Sequence, residues 1–168
     1  MTPNDDSTKE LQSSLHWLAD KWDARVKEVA GKGYRGGVYV TWDALGIVNI
    51  EFGVWKANKE LGAVNSSLGP LSDTYGDEYA YFYKEHPEEA NLDSSFKHLG
   101  RFERELWARE FESLGEDFIY YPEVKEAILR IAKGKATDRE RPHYGETNEY
   151  QKLVEFGATQ QGPYFGGN

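Results

Sequence analysis

Apolar residues in the first thirty positions recur every three or four places. Leu11, Leu15, Leu18, Trp22, Val26 and Val29 form one stripe, which predicts an amphipathic helix over 7–30. Ser7 and Glu10 have the spacing of a capping box at its start, and Gly31 follows as a terminator. The period then shortens to two. Val38, Val40 and Trp42 alternate with Tyr39 and Thr41. After the turn residues Asp43 to Gly46, Val48, Ile50, Phe52 and Val54 alternate with Asn49, Glu51 and Gly53, which predicts an antiparallel hairpin over 38–55. Between 62 and 76 the chain turns to Gly, Ser, Asn and Pro, the composition of a long loop. Tyr79, Tyr81 and Tyr83 then alternate with Ala80 and Phe82. This predicts a third strand over 78–84, ended at His86-Pro87 because proline cannot donate to a ladder.

Helical spacing returns with Phe96, Leu99, Phe102, Leu106, Trp107, Phe111 and Leu114, predicting a second long helix over 95–114 closed by Gly115. Phe118 to Tyr121 is apolar enough for a short strand. Pro122 suits the first turn of a shorter helix over 122–133, whose stripe is Val124, Ala127, Ile128 and Ile131. Past Gly134 the sequence loosens into a Gly-rich extension over 135–168. Tyr150, Leu153 and Val154 suggest a short helix over 146–156, and the stretch from Gly157 reads as an extended arm or disordered. These elements specify an α+β single domain, compact over 1–134. A small antiparallel sheet packs there against two long helices and a shorter one, and 168 residues with 39% hydrophobic suffice for one core.

Charge and composition narrow what such a domain could do. Twenty basic residues against 29 acidic leave a formal charge of −9, which argues against direct nucleic-acid binding, since phosphate neutralisation needs clustered Lys and Arg. The absence of cysteine excludes disulfides and thiolate metal sites. No apolar run approaches the roughly 20 residues that span a bilayer, and the polar, acidic start is unlike a secretion signal, so a cytoplasmic location is expected. No cofactor is expected either. Gly31-Lys32-Gly33-Tyr34-Arg35-Gly36 has the letters of a dinucleotide fingerprint. It follows a helix and precedes a strand, however, the reverse of the order that brings phosphate to a helix N-terminus.

The remaining chemical candidates are sparse. His16, Asp20 and Asp23 share part of a helical face, and His86 stands near Glu88 and Glu89. Both groups read as solvated polar positions rather than metal ligands. Glu51 lies inside an apolar strand, where alternation places it on the solvent side. Nucleophile motifs are absent.

The most informative feature is where the negative charge sits. Asp73, Asp77, Glu78, Glu85, Glu88, Glu89 and Asp93 face the single base Lys84 within 21 residues, around Tyr79, Tyr81 and Tyr83. Carboxylates steer a basic partner and pair with its Arg and Lys, while tyrosines supply contact area at low entropic cost. These ten residues are therefore the expected partner-binding site. The expected function is an acidic inhibitor of the immunity type, which neutralises a basic toxin such as a nuclease by occluding its positive cleft. The alternative is a small hydrolase using Glu51, His98 and Glu103, or a small-ligand or sugar-binding protein that stacks its ligand on Trp42, Trp55 or the row Tyr79, Tyr81 and Tyr83.

Overall fold

A computed structural model describes residues 3–42, 48–68, 76–87, 101–141 and 159–166 of the chain. Helix α1 runs Pro3–Ala30, followed by strands β1 (Arg35–Trp42), β2 (Val48–Lys56) and β3 (Lys59–Leu68). Helices α2 (Gly76–Glu85), α3 (Arg101–Glu116) and α4 (Pro122–Ala132) come next, with a 3-10 turn at Phe118–Tyr120 and another at Asp138–Glu140. Strand β4 (Thr159–Phe165) is last. The four strands form one antiparallel sheet in the order β3-β2-β1-β4. The fold is thus α+β, as the hydrophobic pattern predicts. Among the described residues no helix is long and apolar enough to cross a membrane.

Helices α1 and α4 pack on the sheet, while α3 packs against α1 and the 3-10 turn at Phe118–Tyr120. Val38, Val40, Ile50, Phe52 and Val54 point to the helix side of the sheet and meet Leu15, Leu18, Trp22 and Val26 of α1. Leu106, Phe111, Ile119, Ile128 and Ile131 complete the core. Trp22 ties the two layers together: its ring meets Phe52 edge-on at 5.1 Å, and its Nε1 donates to the Gly53 carbonyl at 2.7 Å. Gly36 allows this approach, because a Cβ there would lie 2.7 Å from the Trp22 ring. Asp23, buried beside it, accepts a hydrogen bond from the Gly36 amide at 2.8 Å and an ion pair from Lys27. The glycines after α1 therefore serve a helix-to-strand turn, with Gly31 at φ 117.

Several elements depart from the sequence pattern for identifiable reasons. Helix α1 starts at Pro3, so Ser7 lies inside it. Proline at a first turn loses no hydrogen bond, and the acids after it favour the positive helix end. Residues 59–68, whose first part drew no assignment and whose remainder read as loop, form β3. A two-residue turn at Ala57-Asn58 returns the chain from β2, and the strand's Gly, Asn and Ser residues hide its period. The expected strand over 78–84 is helix α2. Its Tyr-Ala-Tyr-Phe-Tyr run is apolar throughout and so fits either period, while Asp77 and Glu78 in the first turn and Lys84 in the last complement a helix dipole. The expected strand at Phe118–Tyr121 is a 3-10 turn, closed by local bonds from Tyr120 N to Asp117 O and Tyr121 N to Phe118 O.

Helix α3 continues through Gly115 instead of ending there, and residues 95–100 of the predicted span lie outside those described. Helix α4 begins at Pro122 as its pattern predicts. In the C-terminal stretch, residues 159–165 pair with β1 as an edge strand, a position that tolerates Pro163. The helix suggested over 146–156 lies outside the described residues.

Candidate functional site

Six of the ten expected partner-binding residues lie on α2: Asp77, Glu78, Tyr79, Tyr81, Tyr83 and Glu85. Asp73, Glu88, Glu89 and Asp93 lie outside the described residues. The helix breaks the expected tyrosine row. At 3.6 residues per turn, positions 79 and 83 share one side while position 81 takes nearly the opposite one. Tyr81 is 71% exposed, the most exposed large apolar side chain described, and Asp77, Glu78 and Glu85 are exposed with it. Phe82, half-buried, stacks at 4.8 Å on His86. Glu78 Oε2 reaches Arg109 of α3 at 3.3 Å, which ties the acidic helix to the next one.

From Arg109 the exposed stripe of α3 continues through Glu112 and Glu116 to Asp117, Tyr120 and Tyr121. The sequence pattern did not single out these last two, having assigned them to a strand. Tyr120 and Tyr121 are half exposed, and both are held in place. The Arg25 guanidinium stacks 5.2 Å from the Tyr120 ring while its Nε donates to the Ile119 carbonyl, and Tyr121 meets Phe118 edge-on at 5.6 Å. The available signal was local acid density: Glu110, Glu112, Glu116, Asp117, Glu123 and Glu126 flank these tyrosines.

A different group of acids occupies the sheet face away from the helices. Register places Tyr39 opposite Glu51 and Glu51 opposite Asn65, with Glu60 opposite Trp55. Glu51 is 4% exposed, which corrects the expectation that alternation sends it to solvent. Alternation reports which residues share a face and says nothing of whether water reaches that face. Glu60 is 8% exposed and Tyr39 fully buried, and the Tyr39 hydroxyl donates to Glu60 Oε1 at 3.0 Å. Asn65 Nδ2 donates to Glu51 Oε1 at 2.6 Å. Burial pushes the Glu60 carboxyl from the ordinary 4.5 up to about 8; the Tyr39 hydrogen bond pulls it down, and the Glu51 carboxylate pushes it further up. Glu60 thus holds a proton at neutral pH, as a carboxyl kept from water beside another must. Gly53 makes room for this arrangement, since a Cβ there would come within 2.8 Å of Trp55 Nε1.

The other candidates do not converge. His16 meets Tyr164 edge-on at 4.6 Å, and Asp23 is committed to Gly36 and Lys27. Among the described residues no group of three or more His, Cys, Asp or Glu side chains could hold a metal ion. His98 lies outside the described residues, as does the side chain of Glu103. No family model, curated protein or solved structure matches the chain.

Proposed function

We propose that this chain is an acidic protein-binding inhibitor of the immunity type, which neutralises a basic toxin such as a nuclease in the cytoplasm by occupying its positive cleft. The observation that carries the reading is α2, on which Tyr81 stands 71% exposed among the exposed carboxylates of Asp77, Glu78 and Glu85. A tyrosine left in water loses the burial that would reward it in a core, and a basic surface supplies that burial on binding. The same carboxylates would attract such a surface from a distance and would be screened by salt.

The alternative is a carboxylate-using hydrolase drawing on Glu51, His98 and Glu103, or a small-ligand or sugar-binding protein that stacks its ligand on Trp42, Trp55 or the tyrosine row. The burial of Glu51 supports the first reading over this one. The carboxyls of Glu51 and Glu60, 4% and 8% exposed beside a tyrosine with no exposure, offer no surface to a substrate.

The test is capture of basic partners by the tagged protein from its native cells at low salt, alongside the triple variant Asp77→Lys, Glu78→Lys, Glu85→Lys. The expected result is one basic protein in equal stoichiometry, released by salt and bound at least tenfold more weakly by the variant. An empty column, or equal capture by the folded variant, retires the reading.

A further inference from the structure

Between α1 and α3 lies an open groove of about 490 Å³, lined by Ser13 and Trp17 on one side and by Ala108, Phe111, Glu112 and Glu116 on the other. Its shape follows from a glycine. Gly115 faces the Trp17 ring, and a Cβ at that position would come within 2.5 Å of it. The helices therefore approach with the indole laid against α3, half-buried, so that it forms a wall of the groove. The ring already attracts a cation from its own helix, with Lys21 Nζ 5.7 Å from its centroid.

The two glutamates at the rim are placed at a cost. They stand four residues apart on α3, a spacing at which like charges repel on a helix surface. They also occupy its last two turns, where the helix dipole is negative and where the last turn holds no basic residue. Neither carboxylate has an ion-pair partner among the described residues. Repulsion between the carboxylates and their position at the negative helix end would both be relieved by one cation seated between them.

We infer that this groove is the anchor pocket for an arginine side chain of a basic protein partner, with the guanidinium against Trp17 and its donors on Glu112 and Glu116. The inference rests on the reading of the chain as the acidic half of a complex, and it names the side chain which that partner inserts. Arginine fits better than lysine for two reasons. Its planar group stacks on an indole, and its fork of donors can serve two carboxylates at once. Ala108 and Phe111 offer apolar cover to the arginine stem, which snorkels readily along such surfaces. The groove adjoins the acidic stripe, because Glu112 is one helical turn from the Arg109 that pairs with Glu78 of α2.

The experiment needs no partner protein, so its outcome is independent of the capture test. N-acetyl-arginine amide is titrated into isotopically labelled protein while the Trp17 indole N–H and the Ala108 amide are followed by nuclear magnetic resonance. The expected result is a saturable shift of both signals in the millimolar range. With two exposed charge contacts removed, affinity should fall about tenfold in the double variant Glu112→Gln, Glu116→Gln. Asp138→Asn, in the 3-10 turn at Asp138–Glu140 and not part of the groove, should leave the affinity unchanged, and melting curves would show both variants folded. No saturable shift at Trp17, or equal affinity in the double variant, overturns the pocket even if a basic partner is captured. A saturable, glutamate-dependent shift keeps the pocket even if the capture column is empty.

Discussion

On α2, Glu78 and Tyr81 stand in water; on the back of the sheet, Glu60 and Tyr39 are shut away from it and hydrogen-bonded at 3.0 Å. Both regions are built from glutamate beside tyrosine, and both would look alike in any tally of residue types. Their difference lies in solvent. Exposed carboxylates keep their charge and can be spent on a partner, while buried ones must find a proton or a hydrogen bond to remain in place. The proposed function therefore draws on the accessible group, and stability and pH response on the enclosed one.

The largest effect expected from breaking this contrast is on the fold. Phe52 lies between Trp22 and Phe118, with centroids at 5.1 and 5.4 Å, and supports the strand that carries Glu51. Phe52→Ala should cost about 3–5 kcal/mol in chemical denaturation. The α2 triple charge reversal should change stability by roughly 0.5 kcal/mol or less, as surface substitutions do. Equal losses in the two variants would mean that α2 belongs to the core, and the contrast would collapse.

Next in size is the pH response of Glu60. Below about 4.5 the carboxyl is protonated in both the folded and the unfolded chain. Between 4.5 and about 8 the folded protein keeps a proton that the unfolded chain has released, so stability falls as pH rises through that window. The slope is roughly 1.4 kcal/mol per pKa unit, a few kcal/mol in all. Glu60→Gln should remove the slope and melt higher than the native protein near neutral pH. A native stability level across that window would show that the carboxyl is ionised in the fold.

Glu140 acts in the opposite direction and at lower pH. Burial pushes its carboxyl up, yet hydrogen bonds from Arg130 and Thr137 outweigh this and hold it below the ordinary value. Its contribution is present above the unfolded pKa and is lost as acid protonates it, outside the Glu60 window.

The smallest effect sharpens the comparison from the exposed side. Glu78 and Arg109 pair at 3.3 Å with both side chains more than half exposed. Glu78→Gln should shift stability by no more than about 0.5 kcal/mol, measured by denaturant titration, because water competes for both charges. A larger loss would indicate that this pair, rather than the proposed partner, is what the acidic helix is built for.

Much of the fold was legible where burial is one-sided. The stripe from Leu15 to Val26 and the alternation from Val38 to Val54 each face a core, so their periods survive in the sequence. Legibility failed in three places. Residues 78–84 are apolar at every position of the Tyr-Ala-Tyr-Phe-Tyr run, and such a run has no period to read. Strand β3 is a sheet edge that carries Asn65 and Ser66, and its Gly62 stands where a Cβ would come within 2.6 Å of the Glu140 carbonyl, so no apolar alternation survives along it. Strand β4 pairs with β1 across more than a hundred residues, a contact that local patterns do not encode.

The candidate site divides in the same way. Acid density and tyrosine content in 73–93 and 110–126 are properties of the chain itself, as are the net charge of −9 and the capacity for one core. The tertiary structure alone decided which of these groups meet water. Strand register set Glu51 beside Tyr39 and Asn65, and a glycine in α3 let Trp17 form a groove under Glu112 and Glu116. The physical reason is that charge and periodicity belong to single segments, whereas desolvation belongs to surfaces that exist only once distant segments have packed together.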